Sequence, residues 1–230
     1  QCFYNSGWLV HELGPIVHAV RDPATLVVID GYHGYMAVHT DLSAIVGRAF
    51  YLSGGYKYAM SGEGNAFMHC PPGQALRPVD TGWFAGFAEL STGPVQGGYA
   101  DGGLRFLGAT YDATALYRLN AVMDWLHTQK LSPARIHARV AALQDLFLDG
   151  LDRLALPLLN GALLIPGLGQ PRGNFLCFRT QRAGELHQRL AALDVMCDYR
   201  EDRLRIGFGV YHDESDINEL LRRVAISLAA

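Results

Sequence analysis

A lysine within a glycine-rich stretch is the residue of this sequence best suited to covalent chemistry. Lys57 lies in the run Ser53 to Tyr58, directly after a β-like segment, and Lys130 is the only other lysine. Seventeen arginines carry nearly all of the positive charge, so the composition favours arginine wherever only a cation is needed. An amine, unlike a guanidinium, loses its proton readily and condenses with a carbonyl compound to an imine. Lys57 is therefore a candidate for a covalent link to an aldehyde.

An acidic residue follows the preceding β-like run. Asp30 comes after the continuous apolar run Thr25 to Ile29, and His33 is three residues further on, so a short turn can direct both side chains into one pocket. Asp30 alone is equally compatible with a helix cap or a turn, and His33 alone with an ordinary loop histidine. Lys57 after the next strand favours a shared site, because ligands of parallel sheets bind beyond the carboxyl ends of the strands.

Helix-like and strand-like segments alternate through the first half of the chain. Strands that are apolar along their whole length are typical of a sheet covered on both faces, so we predict an α/β fold with a mainly parallel sheet flanked by helices. The glycine-rich segment Pro71 to Gly103 is predicted to be a mobile loop. The residue spacing predicts a helix over His11 to Val20, strands over Thr25 to Ile29, Ala49 to Leu52 and Asn65 to Cys70, and a short helix near Asp41 to Gly47.

The second half predicts two helices and then a small C-terminal α+β domain. Tyr111 to Thr128 and Ser132 to Leu154 have helical periodicity, and the longer helix is predicted to join two domains. The remaining pattern is strand, helix, two strands and helix, over Phe175 to Phe178, Ala183 to Leu193, Val195 to Tyr199, Leu204 to Phe208 and Ile217 to Leu228.

Composition and charge favour small molecules as partners. The chain of 230 residues is half apolar and 18% charged, and its net charge of −3 offers no basic face for nucleic acid or anionic lipid. It has neither an apolar run long enough to cross a bilayer nor a signal-peptide pattern, so we expect no membrane contact and a cytoplasmic location. The four cysteines are widely scattered without metal-ligand spacing, which predicts buried reduced thiols and no metal site.

Several short motifs, taken in order, resemble those of one enzyme superfamily. They are Asp30-x-x-His33, Tyr56-Lys57-Tyr58 with Gly62-x-Gly64, Gly82-Trp83-Phe84, Arg105-Phe106-Leu107-Gly108-Ala109-Thr110, Arg172-Gly173-Asn174, and Asp198-Tyr199-Arg200-Glu201 leading to Leu204-Arg205-Ile206-Gly207-Phe208. Their order resembles the class-V aminotransferase superfamily of pyridoxal-phosphate enzymes, which have fold type I. Within that superfamily, kynureninase is most similar. The resemblance spans nearly the whole chain.

The resemblance implies pyridoxal 5'-phosphate as the cofactor and assigns residues around it. Lys57 would form the internal aldimine, and Asp30 would pair with the pyridine nitrogen, since a protonated pyridinium is the electron sink of this cofactor. His33 would lie near the cofactor ring. Tyr56 would hydrogen-bond the phosphate and, beside Lys57, is a candidate proton donor.

Three further assignments follow from the resemblance. Trp83 and Thr110 match positions that reach the cofactor phosphate from the neighbouring subunit, which implies a homodimer with shared active sites. Arg205 matches the arginine that binds the α-carboxylate of an amino-acid substrate with its bidentate fork. From spacing alone, a surface ion pair of Arg205 with Glu201 or Asp202 is favoured.

The resemblance also predicts the domain organisation. Residues 1–115 would form the later half of the large cofactor-binding domain, 116–155 the linking helices and 156–230 the small domain. Relatives carry a sizeable segment before the point where this sequence starts, so the resemblance implies a sheet that lacks the N-terminal part of the large domain and has one exposed edge. Either a longer polypeptide or another chain would supply that part.

The predicted activity is kynureninase-like hydrolytic cleavage of the Cβ–Cγ bond of an amino acid through aldimine and quinonoid intermediates. Ala85 and Gly86 stand where kynureninases usually have a histidine that contacts the aromatic substrate, which leaves the substrate open. One alternative is a class-V aminotransferase or related lyase, and another is a non-catalytic homologue or fragment. A cysteine desulfurase is disfavoured, because that reaction needs a nucleophilic cysteine on a flexible loop, whereas Cys197 is predicted in a strand.

Overall fold

A computed structural model describes residues 1–73, 77–91, 99–100 and 102–228. Of the loop predicted at Pro71 to Gly103, residues 74–76, 92–98 and 101 therefore lie outside the described residues. The α-helices are α1 (Leu13–Ala19), α2 (Thr114–Thr128), α3 (Pro133–Leu154), α4 (Ala183–Ala191) and α5 (Glu214–Leu228). The strands are β1 (Val28–Asp30), β2 (Phe50–Gly54), β3 (Ala66–His69), β4 (Leu164–Ile165), β5 (Phe175–Arg179), β6 (Asp198–Arg200) and β7 (Arg203–Gly207). Short 3₁₀ helices span Trp83–Ser91, Gly102–Phe106 and Gly161–Leu163.

The chain divides into two compact units. The three-stranded unit comprises Glu12–Tyr32 and Asp41–Trp125, and the four-stranded unit comprises Gln1–His11, His33–Thr40 and the chain from Leu126 onward. The predicted division into 1–115, 116–155 and 156–230 stays a prediction.

The sheet of the three-stranded unit has the order β1-β2-β3. β1 and β2 are parallel, with Asp30 opposite Leu52, and β2 and β3 are antiparallel. The predicted buried strand is wrong for β1, since Val28 is 53% exposed. Among the described residues β1 pairs with β2 alone, so it forms an edge of this sheet and its apolar side chains stay accessible.

The short helix predicted near Asp41 to Gly47 is also wrong, because this segment forms successive turns. The Asp41 carboxylate accepts a hydrogen bond from the Ser43 amide at 2.8 Å. Such a local bond offers the backbone an alternative to the helical pattern.

The four-stranded unit confirms the predicted small α+β fold. Its sheet has the order β4-β5-β7-β6 and every pair is antiparallel. Apolar side chains of α3, α4 and α5 pack against one face of the sheet and form a buried core, which includes Phe147, Leu176, Leu186, Leu204 and Val224. Burial of each such side chain contributes about 1.5–3 kcal/mol.

The long helix α3 is well specified by its sequence. Ser132 caps it by accepting a hydrogen bond from the Arg135 amide at 3.3 Å, and Pro133 occupies the first turn. The helix stops at Ala155, which has a left-handed backbone with φ of 49°. The predicted helix at Ser132 to Leu154 is therefore confirmed.

The other face of the four-stranded sheet meets the first residues of the chain. Side chains alternate along β5, so Cys177 points away from the helices and its Sγ donates to the Asn5 carbonyl at 3.4 Å. The Gly173 amide donates to the Gly7 carbonyl at 2.9 Å. Gly7 has φ of +74°, and a Cβ there would lie 3.3 Å from Phe175, so glycine suits this approach.

All four cysteines are free thiols, with Cys2 and Cys177 buried and the other two half-buried. Cys197 precedes β6 instead of lying within a strand as predicted. No helix in the described part of the chain combines the length and apolarity needed to cross a membrane.

Candidate active site

Two chemically capable residues follow the carboxyl ends of neighbouring parallel strands. Asp30 is the last residue of β1, and the amide of the next residue, Gly31, donates to the Leu52 carbonyl of β2 at 2.8 Å. Lys57 lies three residues beyond the end of β2 at Gly54. Parallel strands end at the same edge of a sheet, so Asp30 and the segment with Lys57 begin from one edge.

The segment from Gly55 to Asn65, which we call the lysine loop, is closed by its own backbone. The Gly55 amide donates to the Asn65 carbonyl at 3.2 Å, and the Ser61 amide donates to the Gly55 carbonyl at 2.9 Å. A β-carbon on Gly55 would overlap the side chains of Ser61 and Asn65. The loop that carries Lys57 therefore requires glycine at this position.

Arg118 of α2 holds the far end of the lysine loop. Its guanidinium donates to the carbonyls of Ser61 and Glu63. Gly62 and Gly64 have φ of +71° and +89°, a backbone that turns these carbonyls toward the arginine at little steric cost. The sequence analysis missed Arg118, because only the tertiary structure brings α2 to the loop.

Aromatic rings connect Asp30 to Lys57. The Asp30 carboxylate accepts a hydrogen bond from the Tyr32 amide at 2.9 Å, and the ring centroids of Tyr32 and Tyr56 are 5.5 Å apart. The Lys57 Nζ atom lies over the Tyr56 ring, 5.1 Å from its centroid, a cation–π geometry. Burial raises the pKa of Tyr32, and electrostatic interaction with Tyr56, Asp30 and Glu63 raises it further. Tyr32, which the motif left unassigned, is therefore part of this site.

Ser53 is a second residue that the sequence analysis did not assign. It lies on β2 before the lysine loop and is fully buried, yet its Oγ atom has no hydrogen-bond partner among the described residues. A buried hydroxyl without a partner costs free energy, so such an atom often marks a position where a bound group belongs.

Trp83 and Thr110 lie in segments that approach each other within the three-stranded unit. The Phe84 amide donates to the Gly108 carbonyl at 3.1 Å, and a Cβ on Gly82 would come 2.6 Å from the Gly108 carbonyl carbon. Trp83 is half exposed, packs edge-on against Phe84 with centroids 4.7 Å apart, and starts a 3₁₀ helix. Thr110 is exposed.

His33 and Arg205 belong to the four-stranded unit. The His33 ring lies 6.0 Å from the Phe175 ring on β5. Arg205 on β7 forms an ion pair with Asp198 on β6, and its Nη1 donates to the Tyr4 carbonyl at 2.7 Å. The ion pair anticipated with Glu201 or Asp202 is therefore made with Asp198 instead, because Asp198 is the direct cross-strand neighbour of Arg205.

Burial weakens the cysteines as nucleophiles. It raises the pKa of the Cys2, Cys177 and Cys197 thiols to about 11, so the reactive thiolate is scarce at neutral pH. In the described residues no cluster of three or more histidine, cysteine, aspartate or glutamate side chains could hold a metal ion.

Comparison with known proteins identifies the class to which this fold corresponds. A cysteine desulfurase from Thermococcus onnurineus NA1 has a TM-score of 0.77 at 15% identity, over 98% of this chain and 58% of that chain. A NifS-like protein from Rickettsia africae ESF-5 has a TM-score of 0.73 at 14% identity, over 100% of this chain and 60% of that chain. The chain thus has the fold of the fold type I pyridoxal-phosphate enzymes, as predicted, and spans about three fifths of these relatives.

One family model and one further solved structure resemble part of the chain. Residues 136–224 match the family model of the Kynureninase C-terminal domain. A C-DES mutant with glycine covalently linked to the PLP cofactor has a TM-score of 0.65 at 20% identity, over 84% of this chain and 49% of that chain. The predicted resemblance to the class-V superfamily and to kynureninase is therefore confirmed. No curated protein matches the sequence.

Proposed function

We propose that this chain forms part of a pyridoxal-phosphate enzyme that hydrolyses the Cβ–Cγ bond of an amino acid, as kynureninase does. The observation that carries the proposal is the placement of Lys57 and Asp30. Lys57 lies in a loop closed at its base by backbone hydrogen bonds, and Asp30 ends the parallel strand beside the one that leads into that loop. An amine and a carboxylate at one sheet edge suit an aldehyde cofactor with a basic ring nitrogen.

The residues around Lys57 fit a planar phosphorylated ring. A β-carbon on Gly54 would come 2.8 Å from the Asn65 carbonyl oxygen and from the Tyr32 ring, so glycine here keeps the loop close to the strand. Ser53 supplies an unpartnered hydroxyl, and Tyr56, 44% exposed, presents a phenol beside Lys57. When bound, pyridoxal phosphate supplies an electron sink for the bonds around the substrate's Cα atom.

Each residue of this group has a distinct proposed task. Lys57 anchors the cofactor covalently and then, as a free neutral amine, takes the proton from the substrate's Cα. Asp30 pairs with the cofactor ring nitrogen and holds the proton there. Tyr56 donates a hydrogen bond to the cofactor phosphate. When water adds to the side-chain carbonyl carbon Cγ and the Cβ–Cγ bond breaks, the Tyr56 phenol, beside Lys57, delivers the proton that Cβ needs.

The remaining predicted residues are proposed to bind and orient. His33 lies against the cofactor ring, and the fork of Arg205 receives the α-carboxylate of the substrate. Trp83 and Thr110 donate to the cofactor phosphate of a neighbouring subunit in a homodimer. Half exposure of the Trp83 ring, with its indole N–H as a donor, suits such a contact.

Two other activities compete with the hydrolase. An aspartate aminotransferase from Thermus thermophilus has a TM-score of 0.59 at 16% identity, over 98% of this chain and 55% of that chain, which keeps amine transfer to a 2-oxo acid as the second candidate. Cysteine desulfuration is disfavoured despite the desulfurase relatives, because burial raises the pKa of Cys197 to about 11.

The first experiment tests the covalent link. The chain is mixed with pyridoxal phosphate and reduced with borohydride, and the labelled peptide is located by mass spectrometry. We expect the label on Lys57 and its loss in Lys57→Ala. Lys130→Ala, which removes the only other lysine, is the matched control and should keep the label. A chain that takes up no cofactor would instead support the non-catalytic alternative.

The second experiment identifies the reaction. Incubation with kynurenine or 3-hydroxykynurenine should release a fluorescent aminobenzoate together with alanine. Amine transfer to pyruvate or 2-oxoglutarate, without this fluorescence, would assign the aminotransferase instead.

A further inference from the structure

The guanidinium of Arg205 is held by two acceptors from different parts of the four-stranded unit. Its Nη1 donates to the Tyr4 carbonyl at 2.7 Å, and its Nη2 donates to the Asp198 carboxylate. Only 14% of the Arg205 side chain is exposed. A long side chain that could adopt many rotamers is thus fixed at its tip.

The strand register explains why Asp198 reaches this arginine. Asp198 on β6 and Arg205 on β7 are direct cross-strand partners, so their side chains leave the same face of the sheet. On the other side of Arg205, its partner on β5 is Cys177, whose thiol donates to the Asn5 carbonyl. The segment with Tyr4 and Asn5 therefore packs over this part of the sheet, and Asp198 contacts Arg205 from the neighbouring strand β6.

The ion pair with Asp198 is poorly placed to stabilise the fold. The Asp198 side chain is 49% exposed, and Arg200 is a second cation 4.0 Å from its carboxylate. An ion pair with one partner this accessible contributes little to folding, because water competes for the Asp198 carboxylate. An orienting role explains the arrangement better, because two acceptors fix the plane of the fork.

We propose that Asp198 is a positioning residue that aims the Arg205 fork at the α-carboxylate of the amino-acid substrate. The inference rests on the proposed role of Arg205 and adds a residue that the resemblance does not assign. Bidentate recognition of a carboxylate requires two N–H groups in a fixed plane, and a guanidinium that rotates loses part of that advantage. Asp198, on the neighbouring strand β6, restricts this rotation of the guanidinium.

The test compares two ligands that differ only in the carboxylate. L-alanine and L-alaninamide are titrated into the cofactor-loaded chain, and binding is followed by the absorbance of the cofactor. Asp198→Ala should weaken L-alanine binding about tenfold while leaving L-alaninamide unchanged, as expected for loss of a charge-assisted hydrogen bond. Asp198→Asn should lose less, because its amide oxygen still accepts a hydrogen bond from Arg205.

A matched control comes from the same hairpin. Asp202 pairs with Arg179 at 3.0 Å and with Arg203, and it lies three residues before Arg205 in sequence without an ion pair to it. Asp202→Ala should leave the discrimination between the two ligands intact. Equal weakening of both ligands by Asp198→Ala would overturn the proposal, as would unchanged or tighter binding of L-alanine.

A second measurement does not depend on the cofactor. Nuclear magnetic resonance of the arginine side chains should give separate signals for the two Nη groups of Arg205, assigned by their loss in Arg205→Lys. Asp198→Ala should bring these signals into faster exchange, because only the Tyr4 carbonyl then restrains the guanidinium, and an unchanged exchange rate in that variant would overturn the positioning role. The proposed function fails if the chain binds no cofactor, or if Arg205→Lys leaves L-alanine binding unchanged. In either case the resonance measurement still tests whether Asp198 positions the Arg205 guanidinium.

Discussion

Tyr56 combines two properties in one side chain, a ring that packs and a hydroxyl that can move a proton. Its ring touches Tyr32 and lies under the Lys57 amine, while its 44% exposure leaves the phenol accessible. Substitution by phenylalanine separates the two, because it keeps the ring contacts and removes only the hydroxyl. Tyr56→Phe is therefore a direct test of the proposed proton transfer.

For Tyr56→Phe we expect a loss of turnover on the order of 10²-fold, the usual size of a general-acid contribution. Borohydride labelling of Lys57 should persist, because the amine and its ring neighbour remain. Steady-state kinetics and mass spectrometry measure the two effects separately. Unchanged turnover would remove Tyr56 from the catalytic group, and a lost label would reassign it to the binding of the cofactor.

The lysine loop shows how an element far along the chain determines local geometry. The glycines at 55, 62 and 64 permit the fold of the loop, and Arg118 of α2 fastens it by binding the Ser61 and Glu63 carbonyls. Helix α2 begins about fifty residues after the loop ends, so nothing local in the sequence announces this contact.

Loss of the hydrogen bonds from Arg118 should make the lysine loop more mobile. Arg118→Ala is expected to lower the free energy of unfolding by about 1–2 kcal/mol, for the loss of hydrogen bonds to two carbonyls. Cofactor affinity should fall with it, because Lys57 samples more positions. Arg118→Lys keeps a cationic donor and should recover part of both losses. Denaturant unfolding and cofactor titration measure them, and an Arg118→Ala chain with parental cofactor affinity would contradict the role.

Glu219 on helix α5 should make the free energy of unfolding depend on pH. Hydrogen bonds from Arg222 and then Arg223 lower the pKa of Glu219 to about 2. A carboxyl with a lowered pKa in the folded state stabilises the fold fully above its unfolded pKa of roughly 4.3, and this contribution disappears as the pH falls through the folded value.

Glu219→Gln should therefore be less stable than the parent chain at pH 7, and the difference should shrink between about pH 4.3 and pH 2. Urea unfolding midpoints across this range provide the measurement. A difference that stays constant with pH would show that the charge of Glu219 is not its cause.

At the scale of the whole molecule, the main prediction concerns shared sites. If Trp83 completes the site of a neighbouring subunit, a mixture of two inactive variants regains activity. Lys57→Ala and Trp83→Ala, unfolded and refolded together, should recover about a quarter of the parental activity, since half of the dimers are hybrids with one intact site. Enzyme assays before and after mixing measure the recovery.

The control is a mixture of Lys57→Ala and Asp30→Ala. Both residues belong to the same subunit's site in the proposal, so no hybrid contains an intact one and activity should stay absent. Recovery in this control, or none in the first mixture, would contradict the sharing of sites.

Much of the fold could be predicted because its signals are local. The apolar stripe of α3, its Ser132 cap, the apolar run of β5 and the alternating pattern of β7 depend on neighbours a few residues apart. The exposed face of β1 and the turns at 43–48 could not be predicted, because the first depends on which strands pair with β1 and the second on a competing side-chain hydrogen bond.

The same division holds for the candidate site. The sequence by itself determined which residues are proposed to carry the chemistry, because an isolated lysine, a strand-end aspartate and the order of the motifs are properties of the chain. Only the tertiary structure decided the partners of those residues: Arg118 on the lysine loop, Tyr32 between Asp30 and Tyr56, and Asp198 on Arg205. These contacts join elements that strand register and helix packing bring together, and such long-range geometry is absent from any local pattern.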